Sequence, residues 1–127
     1  MEKAELEEGT VFSPRFDHQG LIPCIVTSHK TKTVLMMAYM NQESLKLSLE
    51  SGEAHYWSRS RREIWHKGAT SGNVQTIVSM RTDCDQDCLW MEVSMPENDH
   101  GNEVSCHTGR ESCFYRSVDF KKGSLTF

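Results

Sequence analysis

The chain of 127 residues carries a net charge of −4, is 37% hydrophobic and contains five cysteines. Its length fits one domain, so residues 1–127 are predicted to form a single domain with no room for a second. The charge argues against broad electrostatic binding to nucleic acid, and no apolar run approaches the roughly 20 residues that cross a membrane.

The expected compartment is the cytoplasm, because the acidic N-terminus lacks the apolar core of a secretory signal. A reducing compartment disfavours disulfides, which leaves the cysteines as metal ligands or buried thiols. The low apolar content also suggests that oligomerisation or metal binding adds stability.

The periodicity of apolar residues predicts an α+β fold, mostly antiparallel, with one main helix. Asn41 is a candidate N-cap for that helix, and Ser51-Gly52 is expected to end it. Residues 1–12 and 119–127 are predicted to be a peripheral lead-in and tail. In chain order, the first predicted elements are a hairpin of strands 22–28 and 34–39, and the helix 42–50 with Leu45 and Leu49 on one face. A strand 55–58, a loop 68–72 and a strand 74–81 buried on both sides are predicted next. Strand 89–95 is expected to continue through a turn at 96–102 into a second hairpin towards Cys106, and strand 112–118 is the last predicted element.

Three aspartates alternate with other residues in the segment 83–87. On a flat strand Asp83, Asp85 and Asp87 would share one face, and the outer two would lie about 13 Å apart. One ion can therefore hold all three only if the segment bends, and Gln86 lacks the freedom of glycine. Cys84 would face the opposite way and serve a different site. An acidic turn without metal is the alternative, but three like charges with no basic neighbour favour a hard cation such as Mg²⁺.

Three cysteines, Cys84, Cys106 and Cys113, can hold zinc and leave its fourth position open, which is typical of a hydrolytic zinc site. Their spacing is not the paired pattern of a zinc finger, so spacing alone is a weak signal. A buried thiol is the common explanation of any single cysteine, and it is the prediction for Cys24 and Cys88.

His107 directly follows Cys106 in a polar segment. It could bind the metal, transfer protons or only hydrogen-bond within the turn. Because adjacent side chains point in different directions, proton transfer fits better than ligation of the metal that Cys106 would hold.

A basic and aromatic segment, 56–68, stands out in this acidic chain. Arginines grip phosphates, hydroxyls add hydrogen bonds and tryptophan can stack on a base, so a phosphorylated nucleotide is the predicted ligand. A solvated strand edge and a nucleic-acid surface are the alternatives. The candidate substrate-binding residues are Trp57, Ser58, Arg59, Ser60, Arg61, Lys67 and, in the following glycine loop, Ser71.

Together these motifs closely resemble the phosphoribosyl-AMP cyclohydrolase family. They occur in the family's order over roughly residues 20–116, and the series is far more specific than any one motif. The matching segments are Met36-Met37-Ala38-Tyr39-Met40-Asn41, Tyr56-Trp57-Ser58-Arg59-Ser60-Arg61, Trp65-His66-Lys67-Gly68, Ser71-Gly72, Asp83-Cys84-Asp85-Gln86-Asp87, Cys106-His107-Thr108-Gly109 and Ser112-Cys113-Phe114-Tyr115.

The resemblance implies an intertwined homodimer with metal sites between the subunits. Magnesium would be bound by the three aspartates. Zinc would be bound by Cys106 and Cys113 with Cys84 of the partner subunit. The chain departs from the family at two positions, with Gln86 where glycine is usual and Cys88 where a small residue is usual.

The resemblance also implies hydrolysis of the adenine ring of 1-(5-phosphoribosyl)-AMP between N1 and C6. The product is the phosphoribosyl-formimino carboxamide ribotide, and the reaction is the third step of histidine biosynthesis. His107 would transfer protons, magnesium would orient or neutralise the substrate, and Arg59, Arg61 and Lys67 would hold its phosphates. The alternative function is a noncatalytic zinc module that binds nucleotides or RNA through segment 57–67.

Overall fold

The computed structural model describes residues 2–127, so Met1 of the predicted lead-in lies outside the described residues. The fold is α+β and mostly antiparallel, as predicted, and α2 is its main helix. In chain order the elements are α1 (Lys3–Glu8), β1 (Ile22–Ser28), β2 (Val34–Met40), α2 (Gln42–Ser51), β3 (His55–Ser58), β4 (Glu63–His66), β5 (Thr76–Thr82), β6 (Leu89–Ser94), β7 (Ser117–Val118) and β8 (Leu125–Thr126).

Six strands form one sheet in the order β4-β3-β2-β1-β6-β5. All neighbouring pairs are antiparallel except β1 and β6, which run parallel. The sheet curls, because the N–H of Ala54 donates to the carbonyl of Gln75 (2.9 Å) and that of Ile77 to the carbonyl of Gly52 (2.8 Å). These bonds tie the start of β5 to the segment before β3. The curl encloses one core.

The core lies on the enclosed side of the sheet and consists mostly of apolar side chains. Its largest fully buried side chain is Tyr56, whose hydroxyl donates to Oε1 of the buried Gln75 (2.5 Å). This pairing satisfies two polar groups that would otherwise be costly to bury. The core residues are Ile22, Cys24, Val26, Leu35, Met36, Met40, Leu45, Ala54, Tyr56, Leu89, Met91, Val93 and Met95.

The predicted caps of α2 are confirmed. Asn41 Oδ1 accepts from the N–H of Ser44 (2.8 Å), Ser44 Oγ accepts from the N–H of Asn41 (2.9 Å), and the left-handed Gly52 follows the last turn. The predicted apolar face is only half buried, since Leu45 is buried but Leu49 is 55% exposed.

Three strand predictions need correction. Strand β5 is an edge strand with Val78 46% exposed, not a strand buried on both sides. The second hairpin is reduced to an isolated bridge between Glu97 and Glu103, with no return strand towards Cys106. The predicted strand 112–118 is ordered as a strand only at Ser117–Val118, because the N–H of Cys113 instead donates to the Leu35 carbonyl in β2.

Both chain ends add small elements at the periphery. None of the α1 residues is buried, and β7 pairs only with β8 in a separate two-stranded sheet. Within residues 2–127 the longest helix, α2, has ten residues, and no helix has the length and apolar character needed to cross a membrane.

Candidate active site and metal-binding loops

The thiol loop, residues 105–113, brings two of the predicted zinc ligands together. Its turn is closed by bonds from the N–H of Cys106 to the Arg110 carbonyl (3.0 Å) and from the N–H of Gly109 to the Cys106 carbonyl (3.0 Å). The bond from Cys113 N–H to the Leu35 carbonyl (2.7 Å) then fixes the end of the loop to β2. As a result the thiols of Cys106 and Cys113 lie against each other.

The surroundings of the two thiols favour ionisation of one of them. The hydroxyl of Thr108 donates to Cys106 Sγ (3.1 Å), and this bond, with one from the Thr108 backbone, lowers the pKa of Cys106. Burial, and then the charge of Cys106, raise the pKa of Cys113. A low-pKa thiolate is the form that binds metal. The role of Thr108 was missed, although its position two residues after Cys106 was a usable signal.

Lys67 lies beside this thiol pair. Its Nζ donates to the carbonyl of Ser105 (2.6 Å) and stands 5.0 Å from the centre of the Trp65 ring. Burial lowers the pKa of Lys67, while the nearby thiols act to raise it. The ammonium therefore adds positive charge where thiolates and an anionic ligand would need it.

A cavity of about 780 Å³ opens next to the thiol loop. That volume is within the range of small-molecule sites, roughly 300–1,000 Å³. Gly68 shapes one wall, because it has a φ of +88° and a Cβ there would lie 2.3 Å from the Val74 nitrogen. The predicted site residues that line the cavity are Arg61, Lys67, Ser71, Cys106 and His107.

The ring of His107 is exposed in this cavity. Within residues 2–127 it makes no hydrogen bond, so both ring nitrogens are accessible to a ligand or water. An exposed ring in the cavity suits proton transfer, which is the role predicted for His107.

The remaining predicted substrate-binding residues lie at the end of β3 and in the β3–β4 turn, in a second recess of about 550 Å³ lined by Trp57, Ser58, Arg59 and Ser60. Arg61 borders both recesses. The guanidinium of Arg59 stacks 4.2 Å from the centre of the Tyr39 ring, which fixes it over β2. The structure thus divides the basic segment between two neighbouring recesses.

The aspartate loop, residues 83–88, brings the three predicted magnesium ligands together. One ligand oxygen from each of Asp83, Asp85 and Asp87 lies within 4.8 Å of the others. The required bend occurs at Gln86, which has a φ of +57°. Asp83 Oδ1 accepts from the N–H groups of Asp87 (3.0 Å) and Cys88 (3.1 Å), which closes the loop. Clustered carboxylate oxygens fit a hard cation such as Mg²⁺.

The carboxyl groups of the aspartate loop differ in the direction in which their pKa values are shifted. Hydrogen bonding to Asp85 and Asp83, together with their charges, raises the pKa of Asp87 to about 6. Burial acts to raise the pKa of Asp83, but hydrogen bonds from Asp87 and from two backbone N–H groups hold it below its usual value. Asp87 is therefore the carboxyl group that takes up a proton more readily than an ordinary aspartate as the pH falls, and a divalent cation would compete with that proton.

Cys84 is exposed on the aspartate loop. Within residues 2–127 only the three aspartates bring three potential metal-ligating groups within 4.8 Å of one another, so one chain does not gather Cys84 with Cys106 and Cys113. Two adjacent thiols, one with a lowered pKa, fit zinc in donor chemistry but leave a ligand to be supplied.

The two other cysteines, Cys24 and Cys88, were not predicted to bind metal. Cys24 is fully buried, and burial raises its pKa to about 12, which confirms the prediction of an inert core thiol. Cys88 is only partly buried, and burial followed by the charges of the aspartates raises its pKa.

Comparisons with known proteins identify the family of this chain. The family model described as phosphoribosyl-AMP cyclohydrolase matches residues 36–115. Proteins of that name from Brucella anthropi, Mesorhizobium japonicum and Brucella canis are 52%, 54% and 56% identical to this chain. In each case 98% of this chain is covered, with 86%, 79% and 86% of the respective relative. The chain belongs to the phosphoribosyl-AMP cyclohydrolase family.

Proposed function

We propose that this protein hydrolyses the adenine ring of 1-(5-phosphoribosyl)-AMP to the phosphoribosyl-formimino carboxamide ribotide, in histidine biosynthesis. Family membership over nearly the whole chain supports this activity. The observation that carries it is the cavity that holds His107 and Lys67 next to the thiol of Cys106. A proton-transfer group, a cation and a metal ligand there face one ligand-sized space.

The residues of the cavity perform the proton and charge work of the reaction. Water adds to C6, the N1–C6 bond breaks, and the adenine C6 and its amino group become a carboxamide. His107 takes a proton from the attacking water and returns one to N1, so no proton is lost overall. Arg61 and Lys67, which both line the cavity, hold phosphate oxygens of the substrate.

Zinc is proposed to bind Cys106 and Cys113, with Cys84 of the partner subunit as third ligand. When bound by such a set, zinc lowers the pKa of a coordinated water to about 7 and so supplies a nucleophile at neutral pH. The exposed position of Cys84 and its separation from the other two thiols within one chain support an intersubunit site.

An exposed apolar row supports the proposed homodimer. Ile25 pairs with Met37 on one side and Trp90 on the other, so the three side chains share one face of the sheet. They are 39%, 45% and 43% exposed. A contiguous apolar row of this kind is a candidate protein–protein contact.

Magnesium is proposed to bind Asp83, Asp85 and Asp87. Its charge would offset the repulsion within the aspartate loop and attract substrate phosphate or hydroxyl oxygens. The clustering of the three carboxylates supports this site.

The activity is tested by adding phosphoribosyl-AMP to purified protein loaded with Zn²⁺ and Mg²⁺ and following the ultraviolet change of ring opening. His107→Ala should lower kcat by about 10²–10⁴-fold, the usual contribution of a proton-transfer group. His100→Ala, on the exposed 96–102 turn, is the matched control and should keep full activity. An unchanged substrate spectrum with the parent protein would favour the noncatalytic zinc module instead.

The shared zinc site is tested by co-expressing Cys84→Ser and Cys106→Ser chains that carry different purification tags. Each variant alone should be inactive. If the site is shared, each mixed dimer keeps one intact site, and random pairing should restore roughly a quarter of the parent activity. No restoration in purified mixed dimers would show that the three cysteines act within one chain. An active monomer would contradict the homodimer itself.

A further inference from the structure

Gln86 connects the aspartate loop to the N-terminal arm, defined as residues 6–15. Its side chain is 4% exposed although the loop around it is largely exposed. The carboxamide Oε1 accepts from the N–H of Ser13 (2.7 Å). The carboxamide Nε2 donates to the carbonyls of Leu6 (3.0 Å) and Val11 (3.2 Å). The backbone carbonyl of Gln86 also accepts from the N–H of Arg15 (2.7 Å).

These bonds use both N–H donors and the oxygen of the carboxamide. All three side-chain bonds go to backbone groups of the arm, which lie more than 70 residues away in sequence. The arm itself buries little, so this tether is its main polar attachment to the sheet domain. Gln86 is thus the point at which the arm and the aspartate loop fix each other.

The tether acts at the residue whose backbone makes the loop bend. Gln86 has a φ of +57°, a left-handed backbone conformation that residues other than glycine, asparagine and aspartate seldom adopt. Its N–H donates to the Asp83 carbonyl (3.1 Å) across the bend. Loss of the tether would free the backbone to leave this conformation, and the spacing of the three carboxylates would change with it.

We propose that Gln86 is a positioning residue for the magnesium site. Through its bonds to the arm it holds the bend that keeps Asp83, Asp85 and Asp87 within reach of one ion. The inference rests on the magnesium site proposed above. It assigns to the N-terminal arm a part in metal binding, since the arm forms the other half of the tether.

The test measures binding of Mn²⁺, a hard divalent ion with the same preference for oxygen ligands. Free Mn²⁺ is followed by electron paramagnetic resonance, and Mg²⁺ is then added as a competitor. Gln86→Asn keeps a carboxamide and tolerates the left-handed backbone, but it is one methylene too short for the arm. Its Mn²⁺ affinity should fall roughly tenfold, the lower end of what loss of a ligand-orienting partner costs.

A change on the arm side isolates the tether, because it leaves Gln86 intact. Ser13→Pro removes the N–H that donates to Oε1, and its Mn²⁺ affinity should fall in the same direction. Ser13→Ala keeps that N–H and should bind Mn²⁺ like the parent. Lys32→Gly is the backbone control: Lys32 is also left-handed, with a φ of +63°, but lies in the β1–β2 turn. It should leave the affinity within twofold of the parent value.

Release of the arm gives a second readout, independent of metal. Trypsin should cleave after Arg15 faster in Gln86→Asn and Ser13→Pro than in the two controls, at a temperature where circular dichroism shows all of them folded. The proposal is overturned if either tether variant binds Mn²⁺ as tightly as the parent, whether or not its arm is released. If the parent itself binds no Mn²⁺ and no Mg²⁺, the magnesium site and the tether both fail. Ring opening by that same protein would leave the proposed activity standing.

Discussion

Cys106 and Asp87 both belong to clusters of groups that are negative when ionised, yet their surroundings act on them in opposite ways. In the thiol loop the hydroxyl of Thr108 lowers the pKa of Cys106, and the ammonium of Lys67 stands nearby. In the aspartate loop the neighbouring carboxyl groups raise the pKa of Asp87 to about 6. The first cluster already contains groups that stabilise its negative charge, whereas within residues 2–127 no basic side chain forms an ion pair with the second.

The difference indicates what each site lacks. The thiol loop has the right charge environment but only two thiols within one chain. The aspartate loop has its three oxygens in place, and within residues 2–127 Arg15 borders the recesses beside Asp85 and Asp87 without forming an ion pair with either. We therefore expect zinc binding to depend on assembly of two subunits, and magnesium binding to depend on pH and on the geometry of the bend.

The largest expected effect is on the thiol loop. Cys106→Ser should reduce zinc content, measured by atomic absorption, to background, because serine oxygen is a poor zinc ligand. The ring-opening activity should be lost with it while the protein stays folded. Cys88→Ser, which alters a thiol next to the aspartate loop, should keep both zinc and activity. A Cys106→Ser protein that is unfolded at 25 °C would favour a structural zinc module.

A second change should affect the aspartate loop alone. Asp85→Asn removes one of three carboxylates and should weaken Mg²⁺ binding by at least tenfold, while zinc content stays at the parent level. Asp99→Asn, on the exposed 96–102 turn, removes the same charge at a distance and should change neither metal. Equal loss of both metals from Asp85→Asn would show that the two clusters are not separate sites.

A smaller effect should follow when the thiol loop is made more like the aspartate loop. Thr108→Val removes the hydroxyl that donates to Cys106 and so should raise the pKa of this thiol. Zinc affinity near pH 7 should fall roughly tenfold, and the gap should narrow as the pH rises, because the thiolate then forms without help. Thr70→Val is the control, because within residues 2–127 this cavity threonine donates no hydrogen bond to either thiol. An affinity gap that does not vary with pH would mean that Thr108 acts only through packing.

The smallest effect concerns the pH dependence of stability in metal-free protein. The pKa of Asp87 is about 6 when folded, above its ordinary value of 3.8, so the folded state binds more protons between these limits. The contribution of Asp87 to stability is therefore present below about pH 4 and is lost as the pH rises through about 6. The melting temperature of Asp87→Asn should accordingly rise relative to that of the parent protein as the pH increases from 4 to 7. A constant difference, or one that shrinks with rising pH, would contradict this charge distribution.

The sequence was sufficient to predict elements whose signals are local. The helix α2 follows directly from Asn41 and Gly52, and the β1–β2 hairpin follows from two apolar runs around a polar turn. That Cys84 serves a different site from the aspartates stays a prediction, because segment 83–87 is a bent turn and not the extended strand from which the prediction was made.

The features that were not predicted depend on contacts between distant residues. The strand expected at 112–118 fails because Cys113 and Ser112 bond to carbonyls of β2 instead of forming a new strand. Strand β4 was missed because its pairing with β3 is set by a turn with a left-handed Arg62 rather than by an apolar pattern. The bend at Gln86 is held by carbonyls of the N-terminal arm, which no local rule connects to residue 86.

The single parallel pair of the sheet, β1 with β6, has a consequence for the order of folding. The strands of this pair come from opposite halves of the chain, so their contact is the least local of the sheet, and contacts of that kind form slowly. The β1–β2, β3–β4 and β5–β6 hairpins can all form early, and the aspartate loop is the connection of the last of these. The bonds from Gln86 to the N-terminal arm join residues more than 70 positions apart and, like the β1–β6 pair, should form late. Magnesium should therefore find a fully tethered site only after the slow step, and should slow unfolding without accelerating refolding.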